Sequence, residues 1–375
     1  MTYYLIAGEA SGDLHGSNLM KAILDQDPEA KFRFWGGDLM AVYGGKPIKH
    51  IKETAVMGFW EVLKNAGKLK GFIDFCKKDI KNTQPDALIL IDYAGFNLKI
   101  AAFAKSIGIP VHFYIAPKVW AWNEKRVEKL RKYVDHLYVI FPFEKDFFEH
   151  KHNLPVHYVG NPLQDVIMNF PPVNDGEFRK KHRLDFKPII TLLPGSRHQE
   201  ISHMLPLMSK MEAEFPNYQF VIAGAPHKTY DYYQPFIKSQ SIGFVENETY
   251  NLLSESHAAL VTSGTATLET ALFKVPQVVC YHSSVISYHI AKILVKDLKY
   301  ISLVNLVLDK PAVTELIQND FNYKRLKHEL QQILTPEHRH KMYEDYFELE
   351  EKLGGKGASQ QVAEIIIKSL FKNEN

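Results

Sequence analysis

Short apolar runs rich in β-branched residues alternate with longer amphipathic segments along most of this chain, and this alternation limits its fold more than any other feature. Short continuous apolar runs favour buried strands, whereas apolar residues at a period of about 3.6 favour helices. Strands that alternate with helices in this way build parallel sheets with helices on both faces. The sequence therefore predicts the α/β fold class.

The predicted strands form two groups, separated by a segment that interrupts the alternation. Residues 161–187 contain Pro162, Pro171 and Pro172, followed by a basic run at 179–181. Such a composition is typical of an interdomain linker. A chain of 375 residues also exceeds the usual size of one hydrophobic core, so we expect two domains. The predicted strands are 3–7, 32–35, 87–91, 111–115 and 136–141 in the first group and 189–193, 220–223, 258–261 and 277–281 in the second.

The end of the chain reads as consecutive helices. They start near Asn322 and are interrupted by a glycine-rich break at 354–357. We expect the final helices to pack back on the first domain, which gives predicted domains at 1–165, 166–345 and 346–375. Ligands of open α/β sheets bind at the carboxyl ends of the strands, so the loops that follow strands are the candidate site.

Composition argues against several classes of function. Hydrophobic residues make up 46% of the chain and charged residues 23%, as in folded globular proteins. A formal net charge of +2 argues against a nucleic-acid partner, because such proteins carry a concentrated basic face. The first residues predict a strand rather than a secretory leader, and no apolar run is long enough to cross a bilayer. We expect a cytoplasmic protein with reduced packing cysteines at Cys76 and Cys280.

The first strand runs into a loop of small residues that opens a helix. Gly8, Glu9, Ser11 and Gly12 lie there, and small residues let backbone amides approach an anion or a sugar. The spacing matches neither the dinucleotide motif nor the P-loop, so neither a nicotinamide cofactor nor ATP is implied. The alternative is a tight turn in which Asp13 caps the helix.

A similar loop opens the second group of strands and adds a cation. Gly195, Ser196 and Arg197 follow the strand at 189–193. An arginine fork and a helix N-terminus both favour phosphate oxygens, so this turn is a candidate for binding the phosphates of a nucleotide without a metal. The alternative is a surface arginine that pairs with Glu200.

A third loop of small hydroxyl residues follows the strand at 258–261. Ser263, Gly264 and Thr265 have groups that donate to an anion or a sugar, and Glu269 on the next helix is placed to accept from ribose hydroxyls. In the alternative, Thr265 caps this helix and Glu269 faces solvent.

A single carboxylate follows the strand at 87–91. Asp92 sits at the carboxyl end of a strand that is central in the predicted sheet. A partly buried aspartate at such a position suits the work of a general base. The competing interpretation is an aspartate that caps the following helix.

Neither a metal nor a cofactor is expected. The pair Asp25 and Asp27 follows a helix and precedes a proline, as in a surface turn, and the histidines lack the spacing of a zinc site. Lysines beside apolar residues at 58–82, and more weakly at 285–298, suit either an anionic membrane surface or packing on the protein's own sheet.

In order and across nearly the whole chain, these motifs resemble those of the lipid-A-disaccharide synthase family. The resemblance implies the GT-B architecture, in which two Rossmann-like domains face each other. The motifs are AGEASGD at 7–13, VMGFWEV at 56–62, ID at 91–92, APKVWAW at 116–122, FPFE at 141–144, LPGSR at 193–197, TSGTATLE at 262–269 and SLVNL at 302–306.

The resemblance also implies a reaction. The family transfers 2,3-diacylglucosamine from UDP to the 6-hydroxyl of 2,3-diacylglucosamine 1-phosphate with inversion, which gives a β-1,6 link. Both substrates are lipids of Gram-negative bacteria, so the resemblance implies a peripheral protein at the cytoplasmic face of the inner membrane, with the acceptor and the membrane on the first domain and the donor on the second. It favours 58–82 as the membrane contact. A homodimer is one expectation for the oligomeric state.

Residue by residue, Asp92 matches the family's essential aspartate and Arg197 its essential arginine at the donor phosphates. Asn305 lies in a motif near the family's active site. The chain departs from many members at Ala94 and Gly95, where a proline and a second aspartate are common, and at Asn161, where a histidine is common. The base assignment therefore depends on Asp92. The alternatives are a UDP-N-acetylglucosamine 2-epimerase, which has a similar architecture, and a non-catalytic UDP-sugar-binding protein.

Overall fold

The structure is a computed structural model, and it describes most of the chain. The motif at 56–62 and the segment at 285–298 lie outside the described residues. Residues 1–54, 66–226, 228–239, 241–282 and 299–371 are described.

The chain folds as two compact units. Unit 1 consists of Met1–Asp165 together with Leu353–Asn375, and unit 2 consists of Val166–Lys352. The chain thus leaves unit 1 once and returns to it once.

Unit 1 is built on one parallel sheet. Its strand order is β3-β2-β1-β4-β5-β6-β7, and every pair of neighbours is parallel. All five residues of β4 are buried, as expected of a central strand with helices on both faces. The strands are β1 (Thr2–Ala7), β2 (Lys31–Gly36), β3 (Lys49–His50), β4 (Ala87–Ile91), β5 (Val111–Tyr114), β6 (His136–Val139) and β7 (His157–Tyr158).

Helices connect these strands, and the last helix of the chain packs against the first helix of unit 1. The connecting helices are α1 (Ala10–Leu24), α2 (Asp38–Gly44), α3 (Ile51–Thr54), α4 (Ala66–Thr83), α5 (Ala94–Ser106), α6 (Val119–Trp122), α7 (Val127–Tyr133) and α8 (Pro142–Asp146). The chain leaves the unit through α9 (Pro162–Met168).

Unit 2 contains a second parallel sheet. The strand order of its described residues is β10-β9-β8-β11-β12-β13. The strands are β8 (Ile189–Leu193), β9 (Gln219–Gly224), β10 (Gly243–Glu246), β11 (Ser256–Thr262), β12 (Gln277–Tyr281) and β13 (Thr314–Ile317). The helices are α10 (Asp175–His182), α11 (His198–Lys210), α12 (Tyr230–Tyr233), α13 (Thr249–Ser254), α14 (Thr265–Leu272), α15 (Leu303–Leu308), α16 (Tyr323–Ile333) and α17 (Pro336–Lys352), and α18 (Ala358–Phe371) follows in unit 1.

The α/β class and all nine strands predicted from the sequence are confirmed, with ends that differ by two residues at most. The strands that the prediction missed are β3, β7, β10 and β13. Each lies at or beside a sheet edge and is only two to four residues long. Such short strands lack an apolar run that a sequence pattern can detect.

The segment at 161–187, which the sequence predicts to be a linker, is more structured than expected. It contains α9 and α10. Pro162 opens α9, since the first turn of a helix needs no amide donor at that position. Asn174 caps α10 by accepting a hydrogen bond from the backbone N–H of Glu177 at 3.3 Å. Pro171 and Pro172 lie between the two helices, and the basic run at 179–181 lies in the last turn of α10.

The apolar stripe of α4 packs on its own sheet. Ile73, Cys76 and Ile80 are buried in the core of unit 1. These side chains are therefore unavailable to a lipid surface, which corrects the expectation for this part of 58–82. Both cysteines, Cys76 and Cys280, are free and buried, as predicted.

Three histidines stack across β5, β6 and β7. The ring centroids of His112 and His136 lie 4.8 Å apart, and Nδ1 of His136 lies 3.2 Å from Nε2 of His157. His112 Nδ1 also lies 2.9 Å from the Tyr138 hydroxyl. Burial lowers the pKa of all three imidazoles below the ordinary histidine value, most of all for His112.

We expect this stack to destabilise the fold in mild acid. Because the folded-state pKa values are lowered, the unfolded chain binds more protons below about pH 6.5, and each such proton costs up to about 1.4 kcal/mol per pH unit. The carboxyls of buried Glu144 and half-buried Glu269 act with the opposite sign, since desolvation raises the pKa of each to about 7. The informative quantity is therefore the loss of stability on acidification in a variant that lacks one of these histidines, compared with the loss in the wild type. His136→Gln should lose less urea stability than the wild type between pH 7.5 and 5.5, and equal losses would contradict this account.

Candidate active-site loops

In unit 1 the predicted loops after β1 and β4 lie side by side. The two strands are hydrogen-bonded neighbours, with Ala7 opposite Ile91. A Cβ on Gly8 would lie only 2.4 Å from the ring of Tyr93. Only glycine therefore lets the first loop approach the second so closely. The structure therefore brings the Gly8 loop and Asp92 together at the carboxyl ends of two neighbouring central strands.

The Gly8 loop opens α1 without a side-chain cap. Glu9 occupies the N-cap position in an extended conformation, and Ser11 is exposed. Gly12 packs against β1, where an added Cβ would lie 3.2 Å from the Cβ of Ala7. The loop thus presents a helix N-terminus to solvent beside Asp92.

Asp13 does not cap α1, contrary to the alternative for this loop. It lies within α1 and is 4% exposed. Its carboxylate accepts hydrogen bonds from the backbone N–H groups of Gly37, Leu39 and Met40 at 2.6 to 3.1 Å. Asp13 therefore caps the next helix, α2, and fixes α1 against it.

The backbone at Asp92 adopts a rare conformation. Asp92 and Tyr93 have φ values of 46° and 47°, the left-handed region that costs most residues energy. At the end of the adjacent strand β5, Ile115 has a φ of 64°, a clear outlier for a β-branched residue. Strained backbone of this kind concentrates at functional sites when the surrounding structure holds it.

The electrostatics of Asp92 suit a general base. The side chain is exposed to solvent, yet the surrounding protein desolvates the carboxyl enough to raise its pKa above the usual aspartate value. The ammonium of Lys118 and the N–H of Tyr93 oppose that rise. Because Tyr93 occupies the N-cap position of α5, the alternative role for Asp92 as the cap of this helix is wrong.

Glu144 is a buried carboxyl that the sequence did not single out for a role. It accepts hydrogen bonds from the indole N–H of Trp120 at 3.0 Å and from the backbone N–H groups of Ile140 and Phe141 at 3.0 and 3.1 Å. Burial raises the pKa of Glu144 to about 7. Glu144 thereby ties the end of β6 to α6, the short helix whose N-cap residue is Lys118. A proline followed two residues later by glutamate at a helix start is the signal that marks it.

In unit 2, the loops after β8 and β11 are also neighbours, because Leu193 lies opposite Val261. The phosphate-like turn at Gly195 to Arg197 is occupied by a carboxylate of the protein itself. Oε2 of Glu200 accepts from the N–H groups of Ser196 and Arg197 at 2.9 and 3.1 Å.

The position of the Glu200 carboxylate in this turn requires glycine at residue 195. Its φ is 96°, and an added Cβ would lie 2.5 Å from Oε2 of Glu200. The guanidinium of Arg197 pairs with the other oxygen of Glu200 at 3.3 Å, with the arginine side chain 84% exposed. The pairing that the sequence offered as an alternative is therefore present. An exposed pair of this kind contributes little stability, so the guanidinium is free to change partners.

The third loop lies at the end of β11. The hydroxyl of Ser263 donates to the carbonyl of Ile301 at 3.0 Å, while Gly264 and Thr265 are exposed. Gly264 is the N-cap residue of α14, and no side chain caps that helix. The alternative in which Thr265 caps it is wrong.

Glu269 does not face open solvent. Its side chain is half-buried, and the protein around it raises its pKa to about 7. The charge of Glu269 also contributes to raising the pKa of Tyr250. A carboxyl kept in such surroundings is suited to accept hydrogen bonds from hydroxyl groups.

Asn305 is already engaged within unit 2. Its amide donates to the carbonyl of Val313 and to Glu315, each at 2.9 Å, and its oxygen accepts from the N–H of Val313 at 2.9 Å. These bonds fix α15 against β13. Asn305 could donate a hydrogen bond to a ligand only if one of the two bonds from its amide group broke.

Among the described residues, no group of three or more histidine, cysteine, aspartate or glutamate side chains is arranged to hold a metal ion. In addition, no helix among the described residues is long and apolar enough to cross a membrane.

Comparison with known proteins identifies relatives along nearly the whole chain. The model of the family described as lipid-A-disaccharide synthetase matches residues 3–366. The chain is 36% identical over 373 residues to a lipid-A-disaccharide synthase of Coxiella burnetii, covering 98% of both proteins. It is 36% identical over 376 residues to that of Geobacter metallireducens, covering 98% of this chain and 97% of the relative.

Solved structures share the fold at low sequence identity. A UDP-GlcNAc 2-epimerase from Neisseria meningitidis bound to UDP-GlcNAc has a TM-score of 0.65 and 14% identity, covering 99% of this chain and 100% of that one. A glycosyltransferase from Rickettsia africae has a TM-score of 0.59 and 12% identity, covering 99% of both chains. Identities this low show only the fold, which is the GT-B type found in glycosyltransferases and epimerases.

Proposed function

The chain belongs to the lipid-A-disaccharide synthase family, and we propose from this membership that it transfers 2,3-diacylglucosamine from UDP to the 6-hydroxyl of 2,3-diacylglucosamine 1-phosphate. The products are the β-1,6-linked disaccharide 1-phosphate and UDP. The observation that carries this proposal is the match along 98% of this chain and 97 to 98% of the two relatives. Resemblance to epimerases is confined to the fold, so it does not favour epimerase activity.

On unit 1, Asp92 is the proposed general base. As the acceptor O6 attacks C1 of the donor sugar, the O6–H bond breaks and its proton passes to the Asp92 carboxylate. Its solvent-accessible position at the end of β4 and its raised pKa support this role. The Gly8 loop, with Glu9, Ser11 and Gly12, is the proposed sugar-binding surface beside it.

On unit 2, Arg197 is the proposed partner of the leaving group. The bond between C1 and the β-phosphate oxygen breaks, and UDP leaves with the electron pair. An exposed guanidinium next to a helix N-terminus is suited to stabilise that charge. Gly195 and Ser196, together with Ser263, Gly264 and Thr265, are proposed to line the phosphate site, with Glu269 at the ribose. Asn305 is proposed to act through the position of α15.

The proposed reaction has a simple first test. UDP release is measured after the purified protein is mixed with UDP-2,3-diacylglucosamine, with and without the monosaccharide 1-phosphate. We expect rapid release only when the acceptor is present, because the acceptor hydroxyl is the nucleophile. Equal release in both mixtures would contradict transfer to this acceptor.

A peripheral position at the cytoplasmic face of the inner membrane follows from the lipid substrates of this proposal. Within the described part of α4, Phe75 is 43% exposed, and Lys70, Lys78 and Lys81 are also exposed. These residues favour contact with an anionic surface. A homodimer remains a prediction that light scattering would measure.

Glu200 provides a further prediction for the donor site. Because its carboxylate occupies the amides of Ser196 and Arg197, it competes with the donor phosphates for the same groups. We expect Glu200→Gln to strengthen UDP binding by up to about fivefold, and the gain should shrink at high salt. Isothermal titration calorimetry measures the affinity. Glu337→Gln is the matched control, since Glu337 also lies in the first turn of a unit 2 helix. Weaker UDP binding by Glu200→Gln would contradict competition.

A further inference from the structure

A buried asparagine holds the backbone on which the proposed base sits. Asn97 lies in the first turns of α5 and is fully buried. Its Nδ2 group donates to the carbonyl of Asp92 at 2.7 Å and to the carbonyl of Ile91 at 3.3 Å. The amide orientation follows from these contacts, because both partners are acceptors. One side chain thus satisfies two consecutive backbone carbonyls.

The carbonyls of Ile91 and Asp92 lie at the point where β4 ends and the chain turns into α5. Up to Ile91 the chain follows the parallel ladder, and the N–H of Asp92 still donates to the carbonyl of Tyr114 at 3.0 Å. Asp92 and Tyr93 then take left-handed conformations and turn the chain into α5. Beyond the end of β4 the carbonyl of Asp92 therefore accepts its hydrogen bond from the Asn97 side chain.

No side chain caps the helix at this turn. Tyr93 is the N-cap residue of α5 and forms no side-chain cap hydrogen bond. Strained conformations persist only where neighbouring contacts impose them. The hydrogen bonds from Asn97 tie α5 directly to the carbonyls of Ile91 and Asp92 at this turn.

We propose that Asn97 is a positioning residue, which holds the turn after β4 so that the carboxylate of Asp92 is presented to the acceptor hydroxyl. This inference rests on the proposed role of Asp92 as the base. Asn97 is fully buried, and its side-chain amide donates to backbone carbonyls, so in this proposal it acts through Asp92 and does not touch the substrate.

The test replaces the side-chain amide of Asn97 by an apolar group of similar size and shape. Asn97→Leu is nearly isosteric and cannot donate, and Asn97→Ala is the second variant in case the first does not fold. The fraction of folded protein is taken from the amplitude of cooperative urea unfolding, which reports on unit 1 as well as on unit 2. We expect kcat per folded molecule to fall by about 10- to 100-fold with UDP affinity within about twofold of wild type, because a small misplacement of a base is costly.

A double-variant cycle separates positioning from a structural role. If Asn97 acts through Asp92, then Asn97→Leu should cause little further loss of kcat in an Asp92→Asn background. Tyr4→Phe is the control, since it removes a fully buried hydroxyl from unit 1 that bonds to Asp79 at 2.8 Å. It should lower stability and leave kcat unchanged.

Three results would count against these proposals in different ways. Wild-type kcat in Asn97→Leu beside an active wild type would overturn the positioning role alone. Equal losses from Asn97→Leu in the wild-type and Asp92→Asn backgrounds would also overturn it, because the effect would then be independent of Asp92. A wild type that forms no disaccharide would overturn the proposed function and, with it, this inference.

Discussion

Asp92→Asn is expected to lower kcat by about 10²- to 10⁴-fold, the range that a positioned general base contributes. Asparagine is the informative replacement because it keeps the shape of the side chain and tolerates the left-handed backbone observed at this position. Alanine would also remove the carboxylate, but it adds backbone strain at a φ of 46°. Turnover of the two lipid substrates by the purified variant, at saturating donor, measures the effect.

The same assignment predicts a pH dependence. The base must be ionised to accept a proton, so kcat/KM should fall on the acid side as Asp92 becomes protonated. Because desolvation by the surrounding protein raises the pKa of Asp92, this limb should lie above the pH at which an ordinary aspartate titrates. Asp146→Asn is the control for the Asp92→Asn variant, since it makes the same chemical change at a carboxylate that is 72% exposed at the end of α8. Retention of most activity by Asp92→Asn would exclude Asp92 as the base.

Arg197→Ala is expected to weaken UDP binding by roughly 10- to 100-fold, as hydrogen bonds to charged groups contribute about 1.5 to 3 kcal/mol. The fold should be retained, because the arginine is 84% exposed and its pairing with Glu200 adds little stability. Calorimetry with UDP measures the loss. Because an ionic contact is screened, the difference between wild type and variant should narrow as salt increases.

Arg325→Ala is a close control for this variant. Arg325 is half-exposed in unit 2 and pairs with Glu329 one turn along α16 at 3.5 Å, so it reproduces the local chemistry of Arg197 away from the loop. It should leave the UDP affinity unchanged. An unchanged affinity in Arg197→Ala itself would remove the arginine from the donor site.

Much of this architecture can be read from the sequence because parallel strands that are buried on both faces leave continuous apolar runs. The loops at Gly8, Asp92, Gly195 and Ser263 were identifiable for the same reason, since each follows such a run. Neighbouring strands then bring these loops together within each unit, as the pairing of Ala7 with Ile91 shows.

The partners of individual side chains were harder to predict, because they depend on contacts between distant segments. Asp13 looks like the cap of its own helix in the sequence, yet it caps α2, which starts 25 residues later. Asn97 has no sequence signature that marks its bonds to Ile91 and Asp92. The sequence does contain a signal for the bonds between Glu200 and the backbone N–H groups of Ser196 and Arg197. A glutamate three residues after the N-cap commonly bonds back to it.

The most direct test of the central claim is the chemical structure of the product. Purified protein is incubated with UDP-2,3-diacylglucosamine and 2,3-diacylglucosamine 1-phosphate, and the lipid product is characterised by mass spectrometry and proton NMR. We predict a tetra-acylated disaccharide 1-phosphate whose new link is β-1,6, with one UDP released per disaccharide. UDP without a disaccharide, or a sugar nucleotide inverted at C2, would contradict the assignment of this chain as a disaccharide synthase.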